Sequence, residues 1–250
     1  MERAMQNLTG KRAFVTGGSR GIGAAIARRL SAEGAAVAVG YERSADAAQT
    51  VVDAIIDGGG RAVAVQMSAE DPAAVRRAVN ESAEALGGLD ILVNNAGIYR
   101  DGPVEEMTLE DVDATLNVNV RAVMLASQAA LAHLPEGGRI ISTGSNLATS
   151  VPGPGMALYS ASKAALIGWT QGLARDLGPR GITVNVVHPG STDTDMNPAD
   201  GPHAADQRAL MAIPRYGTPE EVAALVAFVA GPEAGSINGT GLTMDGGANA

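Results

Sequence analysis

Cysteine is absent from this chain of 250 residues. That excludes disulfides, thiolate nucleophiles and zinc sites built on cysteine. Aromatic residues make up only 3 %, so the core must be built from Ala, Val, Leu and Ile within an apolar fraction of 46 %. No apolar run reaches the roughly 18 residues needed to cross a bilayer. The start, MERAMQNLTGKRAFVTGG, carries no hydrophobic region followed by a cleavage site. A cytoplasmic protein without a membrane partner is the expectation. Positive charge is scarce as well: 18 Lys+Arg against 27 Asp+Glu leave a net charge of −9. Nucleic-acid binding needs a basic face to neutralise phosphates, so that class is disfavoured. Only Lys11 and Lys163 among the cations are lysines. Where a plain positive charge suffices, the chain carries Arg; a retained Lys points to a need for a compact ammonium.

Lys163 follows Tyr159 by four residues in the stretch TGSNLATSVPGPGMALYSASKAALIGW, residues 143–169. On a helix the two side chains share a face, one turn apart. An ammonium beside a phenol favours the phenolate and is expected to pull its pKa down from about 10. A phenol tuned this way exchanges a proton near neutral pH. Ser145 lies upstream, across the bend Val151-Pro152-Gly153-Pro154-Gly155 that can fold it back toward Tyr159. A half-buried aromatic next to a solvated charge would give the same spacing, so the rest of the chain has to decide.

Strands and helices alternate along the sequence. RAFVT, residues 12–16, reads as a strand; Gly17-Gly18-Ser19-Arg20-Gly21-Ile22-Gly23 follows, then a helix over 24–33. A glycine turn between strand and helix lets backbone approach a pyrophosphate at the helix N-terminus. Residues 35–41 read as the second strand, ending at Tyr41, with Glu42, Arg43 and Ser44 before a helix over 45–57. At that strand end a carboxylate selects the ribose hydroxyl of NAD and a basic group the 2′-phosphate of NADP. Arg20, Arg43 and Ser44 argue for NADP, Glu42 against it. Further strands are expected at 61–66, 89–93, 139–143, 182–187 (stopped by His188-Pro189-Gly190) and 239–245. Helices are expected over 72–86, 108–134 (containing Asn117 and Asn119), to about Leu177 and over 219–230. The run 191–210 is rich in Asp, Pro and Gly and reads as a mobile lid. The alternation predicts a single α/β domain over residues 1–250: a Rossmann-type, doubly wound parallel sheet of seven strands with helices on both faces. Ligands then bind at the strand C-termini, where residues 17–23, 41–44, 94–97, Ser145 and 189–194 fall.

Together these motifs resemble the short-chain dehydrogenase/reductase family over the whole chain, on its 3-oxoacyl reductase and carbonyl reductase side. Thr16–Gly23 resembles the TGxxxGxG cofactor loop, and Asn94-Asn95-Ala96-Gly97 the NNAG motif. Asn119, Ser145, Tyr159 and Lys163 fall on the Asn-Ser-Tyr-Lys tetrad, Pro189-Gly190 with Thr192 and Thr194 on the PGxxxT segment, and Asp245-Gly246-Gly247 on the C-terminal DGG. The resemblance implies that Tyr159 exchanges the proton, Lys163 tunes it and holds the nicotinamide ribose, Ser145 bonds the carbonyl oxygen and Asn119 positions Lys163 through a water. The implied cofactor contacts are Gly17, Ser19, Arg20, Gly21, Ile22, Gly23, Tyr41, Arg43, Ser44, Ser68, Asn95, Ala96, Gly97, Tyr159, Lys163, Pro189, Gly190, Thr192 and Thr194. Ser68 stands where the family usually has an Asp for the adenine amino group, which is expected to weaken or rearrange that contact.

The expected function is reduction of a ketone or 3-oxoacyl group with NADPH/NADP as cofactor, the partner being a small-molecule carbonyl compound. An NAD-dependent alcohol or polyol dehydrogenase and a nicotinamide-sensing module are the alternatives. The resemblance implies a homotetramer, with Trp169 and residues 225–229 suited to an interface. His133, His188 and His203 lack a ligand motif, so no metal is expected and surface or capping roles are assigned to them. The substrate lining is expected from residues 98–103, 146–156 and the 191–210 lid.

Overall fold

A computed structural model describes residues 7–250. The reading of the N-terminus rests partly on residues 1–6, which lie outside the described residues. The strands are β1 (Arg12–Val15), β2 (Ala36–Tyr41), β3 (Ala62–Gln66), β4 (Ile91–Asn94), β5 (Arg139–Thr143), β6 (Thr183–Pro189) and β7 (Gly241–Met244). They form one sheet in the order β3-β2-β1-β4-β5-β6-β7. Every pairing is parallel. The central strands are apolar nearly throughout, as burial on both faces demands.

Helices cover both faces: α1 (Gly21–Ala32), α2 (Ala45–Asp57), α3 (Pro72–Leu86), α4 (Leu109–Leu116), α5 (Ala122–Ala130), α6 (Ala157–Leu177), α7 (Ala204–Ala209) and α8 (Pro219–Ala230). One core joins α1, α2 and α8 to the sheet through Ile26, Leu30, Val51, Ile55 and Val226. The other joins α3, α5 and α6 through Val75, Val79, Ala126, Leu173 and Leu177. Local chemistry sets several helix starts. Asp71 caps α3 by accepting from the Ala73 N–H, with Pro72 in the first turn. Thr108 and Asp111 form a capping box on α4, and Thr218 and Glu221 form another on α8.

Two expectations need correction. The helix expected over 108–134 is interrupted: Asn117–Arg121 is a π-helical segment between α4 and α5, and α5 ends at Ala130. One extra residue in the turn rotates the register and turns Asn119 inward, fully buried. Second, β6 does not stop before His188. It runs through Pro189, paired with Met244, and Gly190 N–H donates to the Met244 carbonyl. The missing proline N–H is therefore no obstacle at that rung. The switch point, where the order turns from β1 to β4, opens a crevice at the strand C-termini.

Candidate active site

The glycine loop, the NNAG segment and the PGxxxT segment meet at that edge. Arg20 is the N-cap of α1 but makes no side-chain cap bond, so the first N–H groups of the helix face the crevice without a cap. Gly17 has φ 62°, and a Cβ on it would stand 2.9 Å from the Ala96 Cα. A Cβ on Gly23 would stand 2.1 Å from the Gly17 carbonyl oxygen, so no larger residue fits there. Asn95 pins the loop by donating from Nδ2 to the carbonyls of Thr16 and Gly17, each at 3.1 Å. Thr16 Oγ1 in turn accepts the Asn95 and Ala96 N–H groups at 2.9 and 3.0 Å. Thr194 places its methyl 3.4 Å from the Cβ position of Gly21, so the segment after β6 reaches across to the glycine loop. Thr192 Oγ1 donates to the Gly190 carbonyl at 3.1 Å. Arg20 and Asp195 close this span with an ion pair at 3.7 Å, both side chains largely exposed. Ser19 and Ile22 lie half-buried in the same loop, and Pro189 is buried at the end of β6.

At the far end of the crevice, Tyr41 is half-buried and accepts the Met67 N–H at 2.7 Å. Ser68 donates to Glu42 at 3.4 Å, and Gln66 Nε2 donates to the Glu42 carbonyl at 3.0 Å. Glu42 is thus turned toward β3. Arg43 and Ser44 are exposed, and Ser44 makes no side-chain cap bond to α2. Both have polar atoms free for a ligand.

The tetrad residues converge at the other end. Ser145 ends the strand-β5 segment, 8 % exposed, and Lys163 is 4 % exposed within α6. Lys163 Nζ donates to the Thr143 carbonyl at 2.9 Å and stands 5.7 Å from the centre of the Tyr159 ring. Asn119 Oδ1 accepts the Ile98 N–H at 2.9 Å; its Nδ2 donates to the Ile98 carbonyl at 2.9 Å and to Ser162 Oγ at 3.0 Å. Asn119 Oδ1 and Lys163 Nζ each lie 3.4 Å from the Cβ position of Gly97, so Gly97 marks the floor between them.

The electrostatics depart from expectation at Tyr159. Burial pushes its phenol up to about 12; the hydrogen bond with Ser145 pulls the other way and Tyr99 adds to the rise. Burial also lowers Lys163 to about 8. An ammonium that is itself desolvated and committed to the Thr143 carbonyl does not offset the burial of the phenol.

Three residues were not anticipated individually. Tyr99 stands edge-on to Tyr159, ring centres 4.9 Å apart. Ser162 donates to the Tyr159 carbonyl at 2.7 Å while accepting from Asn119, tying the π segment to α6. His188 is 2 % exposed and touches Ser145, which corrects its assignment to a surface or capping role. The lid is internally tied: Tyr216 and Asn197 donate to Gln207 Oε1 at 3.0 and 2.9 Å, and Ser191 donates to the same oxygen. A second cavity of about 620 Å³ lies at the opposite sheet edge, lined by Lys11, Arg12 and Arg61. Arg12 and Arg61 there already cap the C-terminal carbonyls of α3 at Gly87 and Ala85, so the chemistry belongs to the crevice instead.

A Rossmann-type sheet with this glycine loop and this tetrad defines a nicotinamide-dependent type of oxidoreductase. The short chain dehydrogenase family model matches residues 11–204, and the chain belongs to that family. A short chain dehydrogenase from Burkholderia cenocepacia, solved in complex with NADP, is 72 % identical; the match covers 98 % of this chain and all of that one, with a TM-score of 0.97. The cyclic-di-GMP-binding biofilm dispersal mediator protein of Escherichia coli is 48 % identical over 242 residues, 97 % of this chain and 98 % of that protein. The 3-oxoacyl-[acyl-carrier-protein] reductase of a Synechocystis strain is 42 % identical over 246 residues, 97 % of this chain and 98 % of that protein. Among the described residues no helix is long and apolar enough to cross a membrane.

Proposed function

We propose that this protein is an NADP(H)-dependent carbonyl reductase acting on a ketone or 3-oxoacyl group. The carrying observation is the Tyr159 phenol: half-buried, its pKa raised by desolvation, and hydrogen-bonded with Ser145 at the crevice. The glycine loop fits a dinucleotide, because Gly17 and Gly23 let the turn close tightly on Ala96 and on its own backbone where any Cβ would clash, and the N-terminus of α1 offers N–H donors. The relative from Burkholderia cenocepacia, bound to NADP, supports the same cofactor here. Arg43 and Ser44 would hold the 2′-phosphate, and Ser68 would border the adenine. When bound, the cofactor supplies the hydride.

The chain's own groups handle the oxygen of the substrate. Ser145 donates a hydrogen bond to the carbonyl oxygen, where negative charge develops. Tyr159 transfers its phenolic proton to that oxygen, leaving a secondary alcohol. Lys163 keeps positive charge beside the resulting phenolate, and Asn119 holds the Ile98 segment against α6. Tyr99 covers the Tyr159 ring and suits an apolar substituent on the substrate. Assembly as a homotetramer belongs to the same proposal, and sedimentation tests it.

Titration with NADPH and NADH, read by cofactor fluorescence, is the first test, followed by a ketone screen with the preferred cofactor. We expect tighter NADPH binding and turnover that Tyr159→Phe reduces by at least about a hundredfold while NADPH binding stays intact. Preference for NADH would favour an alcohol dehydrogenase instead. An active Tyr159→Phe protein would refute the mechanism. The same titration with cyclic-di-GMP separates this reading from the binding role for which the Escherichia coli relative is named.

A further inference from the structure

Of the three histidines, His203 is exposed and His133 half-buried with Nε2 against Asn80 at 2.8 Å; His188 alone is fully enclosed. Its imidazole lies between glycines of both neighbouring strand ends. A Cβ on Gly144 would stand 2.4 Å from Nδ1, and a Cβ on Gly241 would stand 2.8 Å from Cδ2 and from Nε2. Space on both sides of β6 is thus given over to one ring.

That ring meets Ser145. The backbone of Ser145 is extended, φ −163° and ψ 150°. In an extended residue the N–H and C=O point to the same side, where a strand neighbour would pair with both. The ladder between β5 and β6 ends one residue earlier, at the Gly144 N–H donating to the Val187 carbonyl at 2.7 Å. Beyond it His188 Nδ1 stands 3.2 Å from the Ser145 nitrogen and 2.9 Å from the Ser145 oxygen. One ring nitrogen therefore replaces the next rung, accepting from N–H or donating to C=O according to the tautomer. Ser145 is held from its other side too: its Oγ accepts the Leu147 N–H at 3.2 Å and its carbonyl accepts the Ala148 N–H at 3.0 Å. Its hydroxyl is hydrogen-bonded with the Tyr159 phenol, the other group that the reading places on the reacting oxygen.

We propose that His188 is a positioning residue for the reaction, locking Ser145 in the extended backbone that aims its hydroxyl at the substrate oxygen. This rests on the reading of Ser145 as the group that polarises a carbonyl. Burial keeps the imidazole neutral, which suits a fixed hydrogen-bonding part.

The test compares His188→Leu with His188→Asn. An asparagine side chain brings an amide to the place of Nδ1 and can donate or accept there. Leucine fills similar space without a polar atom. We expect His188→Leu to lower kcat about ten- to a hundredfold, as for one lost hydrogen bond in a buried site, with KM and NADPH affinity within about threefold. His188→Asn should recover most of that loss. In a Ser145→Ala background His188→Leu should change nothing further, because the histidine acts only through the serine. Full kcat in His188→Leu, or an equal fall in the Ser145→Ala background, would overturn the proposal. Crystal structures of the two variants decide it without any turnover. Ser145 should keep its φ and ψ in His188→Asn and leave them in His188→Leu; an unmoved Ser145 in the leucine variant sinks the idea. A parent protein that reduces no ketone would therefore count against the reductase reading alone. If His188→Leu does not fold, Gly241→Ala displaces the ring instead. It should show the same kcat loss, and an unaltered kcat there would again refute the role.

Discussion

Replacing Asn119 by alanine tests how the site is held together. The side chain is fully buried inside the π segment and makes three hydrogen bonds, two to the peptide groups of Ile98 and one to Ser162. Truncation leaves the Ile98 N–H and C=O and the Ser162 hydroxyl short of a partner. At about 1 kcal/mol for each bond, partly offset by water reaching the half-buried Ile98, the loss is about 2–4 kcal/mol. For a chain of this length that is a fall in melting temperature of about 5–12 °C. The effect on turnover follows from position. Ile98 precedes Tyr99, whose ring leans on Tyr159, and Asn119 Oδ1 shares the Gly97 floor with Lys163 Nζ. Freeing that segment should raise KM and lower kcat together, by about tenfold or more in kcat/KM. Calorimetry at pH 7 and steady-state kinetics with NADPH read both effects. A variant melting within 2 °C of the parent, on the scale of under about 1 kcal/mol, would refute the reasoning. The π turn would then be held by packing alone.

Two further outcomes follow from charge. Lys163 has its pKa lowered to about 8 by burial, against 10.5 when exposed. Below pH 8 both states carry the proton and the cost of burying the ammonium is present in full. Between about 8 and 10.5 the unfolded chain binds more protons, so stability rises with pH. The melting temperature of the parent without cofactor should therefore gain on that of Lys163→Met across this window; parallel curves would show that Lys163 is not desolvated. Tyr159 runs the opposite way higher up, holding its proton in the fold up to about 12 and losing that advantage as pH rises from 10. Separately, Arg43→Ala should weaken NADPH binding about tenfold, the low end for one charge-assisted hydrogen bond at an exposed site, and leave NADH unchanged. An equal loss for both cofactors would move the 2′-phosphate contact away from Arg43.

Much of the fold is written locally. Asp71-Pro72 and Thr218-Pro219 announce α3 and α8 to the residue because capping depends on neighbours in sequence. The apolar runs of β2, β3 and β5 stand out because burial on both faces leaves no polar alternation. The glycine loop stands out for a local reason as well, since it lies directly between β1 and α1. The π turn at Asn117–Arg121 was not legible, because one added residue hardly disturbs the helical period while it rotates every side chain after it. His188 was hidden more deeply. Its burial depends on Gly144 and Gly241, which lie on two other strands and become neighbours only when the sheet forms. Reading it from sequence would require pairing the registers of β5, β6 and β7 first.

The phenol is the place where proximity in sequence misled. Spacing of four residues on α6 does put Lys163 beside Tyr159, and in water that pairing would favour the phenolate. In the fold both groups lose solvent, and loss of solvent favours the neutral form of each. The consequence bears on the resting proton of the pair. A residue that donates to an alkoxide must keep its proton until the alkoxide forms, and a phenol with a pKa of about 12 keeps it throughout the neutral range. A residue that removes a proton from an alcohol must already be a phenolate, which burial opposes. Lys163 with a pKa of about 8 is still mostly charged at pH 7, so it can meet the phenolate left behind by reduction. The protonated phenol and the charged lysine are thus the states that the pair holds near pH 7.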